Sequence, residues 1–326
     1  MIALPHLYVL GGVFFAGTAW FAAQDAANPR RFVASTFWLL LALSFLVGDR
    51  LGDLGNGVLV VGLVALTTYG LGKGGAATSQ PEERRASAQR HGDALFLVAL
   101  VIPGTALAGT LIAKNTPWGG KLIDPAQATL VSLVLGVLVA LAVVFAWLRP
   151  KFAGGGAPAM VPLREGARLV STVGWAAILP QMLASLGVVL LGAGVGKQVG
   201  LLFSEHLALD TRFAAVAAYG VGMAFFTVLM GNAFAAFPVM AAAVGLPVLV
   251  QRFHGDPAVV CAIGMLSGFC GTLLTPMAAN FNVVPANLLD LPDRNAAINS
   301  VIRTQAPTAL VLLAVNLLLM QWLAFR

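Results

Sequence analysis

The chain has 326 residues, 59% hydrophobic and only 10% charged, with a mean hydropathy of +0.89. A soluble domain carries about 25% charged residues, so this composition excludes a water-coated globular protein and fits an integral membrane protein. The net charge of +6 would suggest an anionic partner such as nucleic acid in a soluble protein, but the basic residues lie between apolar runs, where membrane topology accounts for them.

Apolar runs near the length of a membrane crossing are predicted as helices over 4–23, 32–47, 57–72, 93–113, 126–148, 169–194, 213–231, 232–250, 257–275 and 306–325. The expected fold is an all-α polytopic membrane protein with about 9–10 transmembrane segments. It forms one integral domain, with an N-terminal five-span half over 1–150 and a C-terminal half over 151–326 that holds broken or re-entrant helices.

The first run has no Lys or Arg before it, unlike a cleaved signal peptide, and reads as a retained span with its N-terminus outside. Ten basic residues fall in the loops 24–31, 73–92 and 149–168, against three (Arg50, Lys114, Lys121) in the alternating loops, which assigns the first group to the cytoplasm. The polar stretch 72–93 reads as a solvated loop, and the Gly-rich stretch 151–163 as a linker. In the second half Arg212, Arg252, Arg294 and Arg303 give no such asymmetry, so whether 232–250 and 257–275 span or re-enter stays open.

Enzyme signatures are missing: the sequence has no H-E-x-x-H, no G-x-S-x-G and no His, Cys and carboxylate cluster at ligand spacing, so no catalytic residue, metal or cofactor is expected. Cys261 and Cys270, nine apart in one apolar run, are about 13 Å apart along a helix and too distant for a disulfide. "GAGVGKQVG" at 192–200 has neither the glycine spacing nor the Ser or Thr of a phosphate loop, and reads as a helix end where Gly192 and Gly196 allow close packing. His206 beside Glu205 is the only adjacent acid and imidazole, a candidate for proton coupling. No charge falls near the centre of a predicted span, since Asp49, Asp53, Asp93 and Asp124 are at span ends or in loops.

Two interruptions stand apart from single-proline kinks such as those expected at Pro103 and Pro180. In "LMGNAFAAFPVM", Gly231 as a C-cap, Asn232 as an N-cap and Pro238 near a new helix start suggest two half-helices meeting. In "GFCGTLLTPMAANFNVVPANLL", Pro276 and Pro285 remove backbone donors while Thr275, Asn280, Asn282 and Asn287 supply polar side chains, a combination that needs a polar cavity inside the membrane. Paired interruptions point to a transporter site, and half-helix N-termini suit an anion.

The stretches "SGFCGTLLTPMAANFNVVPANLL", "MGNAFAAFPVMAAAVGLPVL" and "ANPRRFVASTFWLLLALSFLVGD" resemble a bacterial membrane family catalogued as domain of unknown function 979, over nearly the whole chain. The resemblance implies one subunit of a 5-oxoproline (pyroglutamate) transporter in the cytoplasmic membrane, encoded beside a second small membrane protein. The broken helices are also similar, by architecture alone, to the ion-transporter superfamily, whose members carry gluconate, citrate and dicarboxylates. On this basis Gly231, Asn232, Thr272, Thr275, Asn280 and Asn282 are the expected residues for a small carboxylate or for a coupling ion, Na+ or H+. The competing expectation is a non-transporting scaffold for the neighbouring membrane protein, which would tolerate changes at the Asn and Pro clusters but not at lipid-buried glycine faces such as "GMLSG" at 264–268.

Overall fold

The computed structural model describes residues 1–72, 81–148, 160–206, 209–289 and 296–326. Residues 73–80 of the predicted solvated loop and 151–159 of the predicted linker lie outside the described residues, as do Arg294 and the side chains of His206 and Asn287, whereas residues 81–91, also expected as loop, are helical. The elements are α1 (Leu4–Gln24), α2 (Arg31–Tyr69), α3 (Pro81–His91), α4 (Ala94–Asn115), the single turn α5 (Gly119–Leu122), α6 (Ala128–Val143), α7 (Val161–Val173), α8 (Leu179–Gly192), α9 (Val195–His206), α10 (Arg212–Met230), α11 (Ala233–Met240), α12 (Pro257–Thr272), α13 (Ala279–Leu288) and α14 (Ala297–Leu323). A π-helical continuation, Ala241–Arg252, extends α11. There is no strand among the described residues, and seven helices are long and apolar enough to cross a membrane, or eight with one bent pair. The protein is an all-α polytopic membrane protein. Its chain forms two compact units, Met1–Ser171 and Thr172–Arg326.

In the first unit, α2 is 39 residues long but contains Gly52 at φ 62°, ψ −177°, a conformation open essentially to glycine alone. A Cβ placed on Gly62 would sit 3.5 Å from Leu40 Cδ1, whereas a straight helix would hold these residues about 33 Å apart. The helix therefore doubles back at Gly52 into a hairpin, and the two short predicted spans 32–47 and 57–72 are its arms. Asn56 Nδ2 donates to Gly48 O at 2.9 Å across the turn, and Asn28 Nδ2 donates to Leu71 O at 3.0 Å across the base.

Glycines bring α1 close to this hairpin. Gly11 and Gly12 face Phe45 and Leu46, Phe15 stacks on Trp38 at 5.8 Å, and the Ser35 hydroxyl donates to Ala19 O. α4 and α6 pair antiparallel, with Gly136 against the Ile102 carbonyl and Gly109 against the Ser132 hydroxyl. Pro103 lies inside α4 without ending it, as expected of a kink. Ile2 exchanges backbone hydrogen bonds with Leu122 and Asp124, which sets the N-terminus beside the loop 114–125. Residues 161–168, expected as loop, instead begin α7, whose Leu163, Arg164 and Gly166 meet Gly17, Phe21 and Phe14 of α1. That packing carries the first unit past the Gly-rich stretch to Ser171.

In the second unit, the predicted single span 169–194 is interrupted. Gly174 (φ 61°) opens a 3-10 turn over Gly174–Ile178, Pro180 falls in the first turn of α8, and Gly194 (φ 70°) bends the chain by 69° between α8 and α9. Left-handed glycine backbone breaks the helix without any change in apolar character, so hydropathy does not register it. Gly196 packs closely against Val239 and Ala242, as expected, but Gly192 has nothing within 4 Å of its Cβ position.

The bundle directions follow from facing residues. Along α10, Tyr219, Met223 and Thr227 face Gly264, Gly268 and Gly271 of α12 in the same order, so these helices run parallel. Gly245 returns to Tyr219 while Ala233 meets Gly268, so the α11 segment runs antiparallel between them. The "GMLSG" glycines therefore face helices rather than lipid. α14 runs back along α12 and α13, with Gln305 near Phe281 and Ala324 O accepting from the Asp256 amide at 2.7 Å. Buried Met223, Met240, Val244, Leu249, Val260 and Met320 form the core of this unit.

Candidate functional site

The site forms where two helices stop. α10 ends at Gly231, left-handed at φ 74°, with its amide donating to Thr227 O at 2.7 Å. Asn232 then caps α11, its Oδ1 accepting the Phe234 amide at 2.7 Å. This is the Gly C-cap and Asn N-cap grammar the sequence predicts, and Pro238 lies inside the new helix.

The second break falls between α12 and α13. α12 starts at Asp256, whose carboxylate accepts the amides of Ala258 and Val259, and it ends at Thr272. At 16 residues it is about 24 Å long, short of the roughly 30 Å hydrocarbon core. Residues 273–278 are unwound, and α13 resumes at Ala279 alongside α14. The pair is thus one discontinuous segment.

The two breaks touch. A Cβ on Gly231 would lie 2.8 Å from both Met277 O and Met277 Cβ, so only glycine fits this approach. Beside the contact is a small, half-open recess lined by Leu179, Gly231, Asn232, Met277, Asn280 and Phe281, among others. The N-cap of α11 and the first turn of α13 both border it, and each helix start presents amides that lack an intrahelical acceptor. α13 has no side-chain cap; Phe281 and Asn282 donate to Ala278 O, which leaves the Asn280 amide without an acceptor among the described residues. No lining residue is charged, so the recess meets a ligand with dipoles and amide side chains.

Beneath the recess the chemistry changes. Asn282 is fully buried, and its Nδ2 donates to Thr272 O and to Thr275 O, both at 2.8 Å. Those bonds staple the end of α12 to the start of α13. The Thr272 hydroxyl donates to Phe269 O at 2.6 Å, and Thr275 Oγ1 accepts the Met277 amide at 3.3 Å. Asn282 Oδ1 has no hydrogen-bond partner among the described residues.

The six predicted residues therefore fall into two adjoining groups. Gly231, Asn232 and Asn280 border the open recess, while Thr272, Thr275 and Asn282 are 0–3% exposed below it. Leu179, Met277 and Phe281 were not predicted. Met277 follows the Thr-Pro break and could have been included, whereas Leu179 is remote in sequence and carries no polar signal. No group of three or more His, Cys, Asp or Glu able to hold a metal occurs among the described residues. Both cysteines are free thiols.

The pattern of one protein family, described as "Protein of unknown function (DUF979)", matches residues 5–325. No curated protein and no solved structure matches the chain.

Proposed function

We propose, from the premise that the chain belongs to the DUF979 family, that it is a secondary transporter or a transporter subunit that moves a small carboxylate, 5-oxoproline, across the bacterial cytoplasmic membrane. The observation that carries this reading is the contact between two broken membrane segments at a single recess bordered by two helix N-termini. Discontinuous helices whose half-helix N-termini face an anion are the recurring design of secondary transporter sites.

In this reading the carboxylate accepts hydrogen bonds from first-turn amides of α11 and α13, the Asn280 amide among them. The Asn280 and Asn232 side chains address the lactam, because a primary amide offers both the donor and the acceptor that a lactam needs. Neutral dipoles suit a substrate that must leave again, since a fixed countercharge would hold it. The N-terminus lies outside, and a second small membrane protein completes the assembly.

The test is uptake of labelled 5-oxoproline into vesicles holding this protein, with and without the membrane protein encoded beside it, under imposed Na+ or proton gradients. Gradient-driven uptake lost in Asn232→Ala and Asn280→Ala at normal expression is the expected result. Absence of uptake with both proteins folded would sink the 5-oxoproline assignment, and tolerance of both substitutions would favour a scaffold.

A further inference from the structure

We propose that Thr272, Thr275 and Asn282 form a binding site for a dehydrated sodium ion, separate from the recess above it. The argument starts from one atom. Both amide protons of Asn282 are committed to carbonyl oxygens at 2.8 Å, so the side chain cannot be flipped without aiming its oxygen at two other oxygens. Its Oδ1 is therefore fixed in direction, fully buried, and without a donor among the described residues. A buried acceptor left unmatched is destabilising, and something that brings positive charge relieves it.

The surroundings narrow what that is. Asn280 and Asn282 are two apart on α13 and face different directions, so the carboxylate recess includes Asn280 and not Asn282. The three side chains are 0–3% exposed, which favours a small ion over an organic molecule. It lies at the C-terminal end of α12, the negative end of that helix, where the final carbonyls have no intrahelical donor. Every candidate ligand is a neutral oxygen: Asn282 Oδ1, the threonine hydroxyl oxygens and the carbonyls of Thr272 and Thr275. Such oxygens suit hard cations, and without a carboxylate they do not offset the desolvation of a divalent one. None of these groups ionises near neutral pH, so the site is not a proton carrier.

A cation here would order residues 273–278, and Met277 of that stretch abuts Gly231 at the recess. Sodium binding and carboxylate binding would then stabilise the same arrangement, which is a coupling free energy. This coupling rests on the transport reading of the previous subsection, whereas the sodium site itself does not.

The experiment is thermal unfolding of the purified full-length protein, with no carboxylate added, in NaCl, KCl and LiCl series balanced to constant ionic strength with choline chloride. The expected result is a saturating upward shift of the midpoint with Na+ that K+ and choline do not reproduce. Asn282→Ala is expected to weaken the apparent Na+ affinity by roughly 10- to 100-fold, the range seen when groups supporting a metal site are removed. Asn56→Ala, in the α2 turn of the first unit, should retain the wild-type response. If Asn282→Ala does not fold, Thr275→Val carries the test, because it keeps the backbone carbonyl and removes only the hydroxyl. Equal midpoints in Na+ and choline, or an undiminished Na+ response in the foldable variant, would overturn the site. Carboxylate uptake indifferent to Na+ would remove the coupling and leave transport standing; a sodium response lost in Asn282→Ala without any carboxylate uptake would do the reverse.

Discussion

The chain breaks a membrane helix twice with a glycine and a nearby asparagine, once at Gly52 with Asn56 and once at Gly231 with Asn232, to different ends. Around Gly52 there is open space, with nothing within 4 Å of where a Cβ would be. The Asn56 amide closes the turn on Gly48 O, and Asp49, Arg50 and Asp53 surround a tip that reverses the chain. At Gly231 the same residue types are packed against a second break, with Met277 O 2.8 Å from the Cβ position. A break with space around it settles topology. A break held against another break leaves helix ends facing a common cavity, and that arrangement can bind.

Substitutions can separate the two cases. The largest effect is expected for Gly231→Ala, which combines a left-handed backbone, worth about 1–2 kcal/mol, with a clash against Met277, for a total loss of about 2–4 kcal/mol. Chemical unfolding in detergent would measure it, and uptake should disappear with it. Gly52→Ala meets no clash and should lose roughly 1–3 kcal/mol from backbone strain alone, with uptake per folded molecule unchanged. A Gly52→Ala loss as large as that of Gly231→Ala would erase the distinction.

Smaller changes sharpen the contrast. Asn232→Ala removes the α11 cap and should destabilise by about 1 kcal/mol, yet abolish most uptake, because the same residue borders the recess. Asn56→Ala removes one hydrogen bond at a turn and should lose about 0.5–1.5 kcal/mol without touching transport. Equal uptake by these two variants at matched expression would mean that the asparagine at the buried break has no more than a capping role.

Much of this was legible in the sequence, for identifiable reasons. Membrane helices announce themselves by composition, and the Gly231–Asn232 pair announces a helix end and start because few other residues satisfy those backbone requirements. The two arms of α2 were legible as two short runs, since the charged tip dilutes the apolar signal between them. The breaks at Gly174 and Gly194 were not, because glycine in an apolar run also serves close packing, as Gly196 does, and sequence does not distinguish the uses. The start of α7 was hidden by Arg164 and Arg168, which read as loop; Arg168 is paired with Glu165 one turn away, and Arg164 lies over Phe21. Within the site, the polar residues were legible and their division was not. Residue type marks Asn280 and Asn282 alike, and only the direction of α13 sends one to the recess and the other to the interior.

The shortness of α12 has an electrical consequence. With the charged Asp256 at the membrane surface, where an ionised carboxylate belongs, the helix covers about 24 Å and stops at Thr272, short of the roughly 30 Å hydrocarbon core. Any charge held there sits part-way through the voltage drop of an energised membrane, where a full crossing is worth about 2.3 kcal/mol per 100 mV. Occupancy at that depth is therefore set by the membrane potential as well as by concentration, and a clamped voltage should move it by a fraction of that energy.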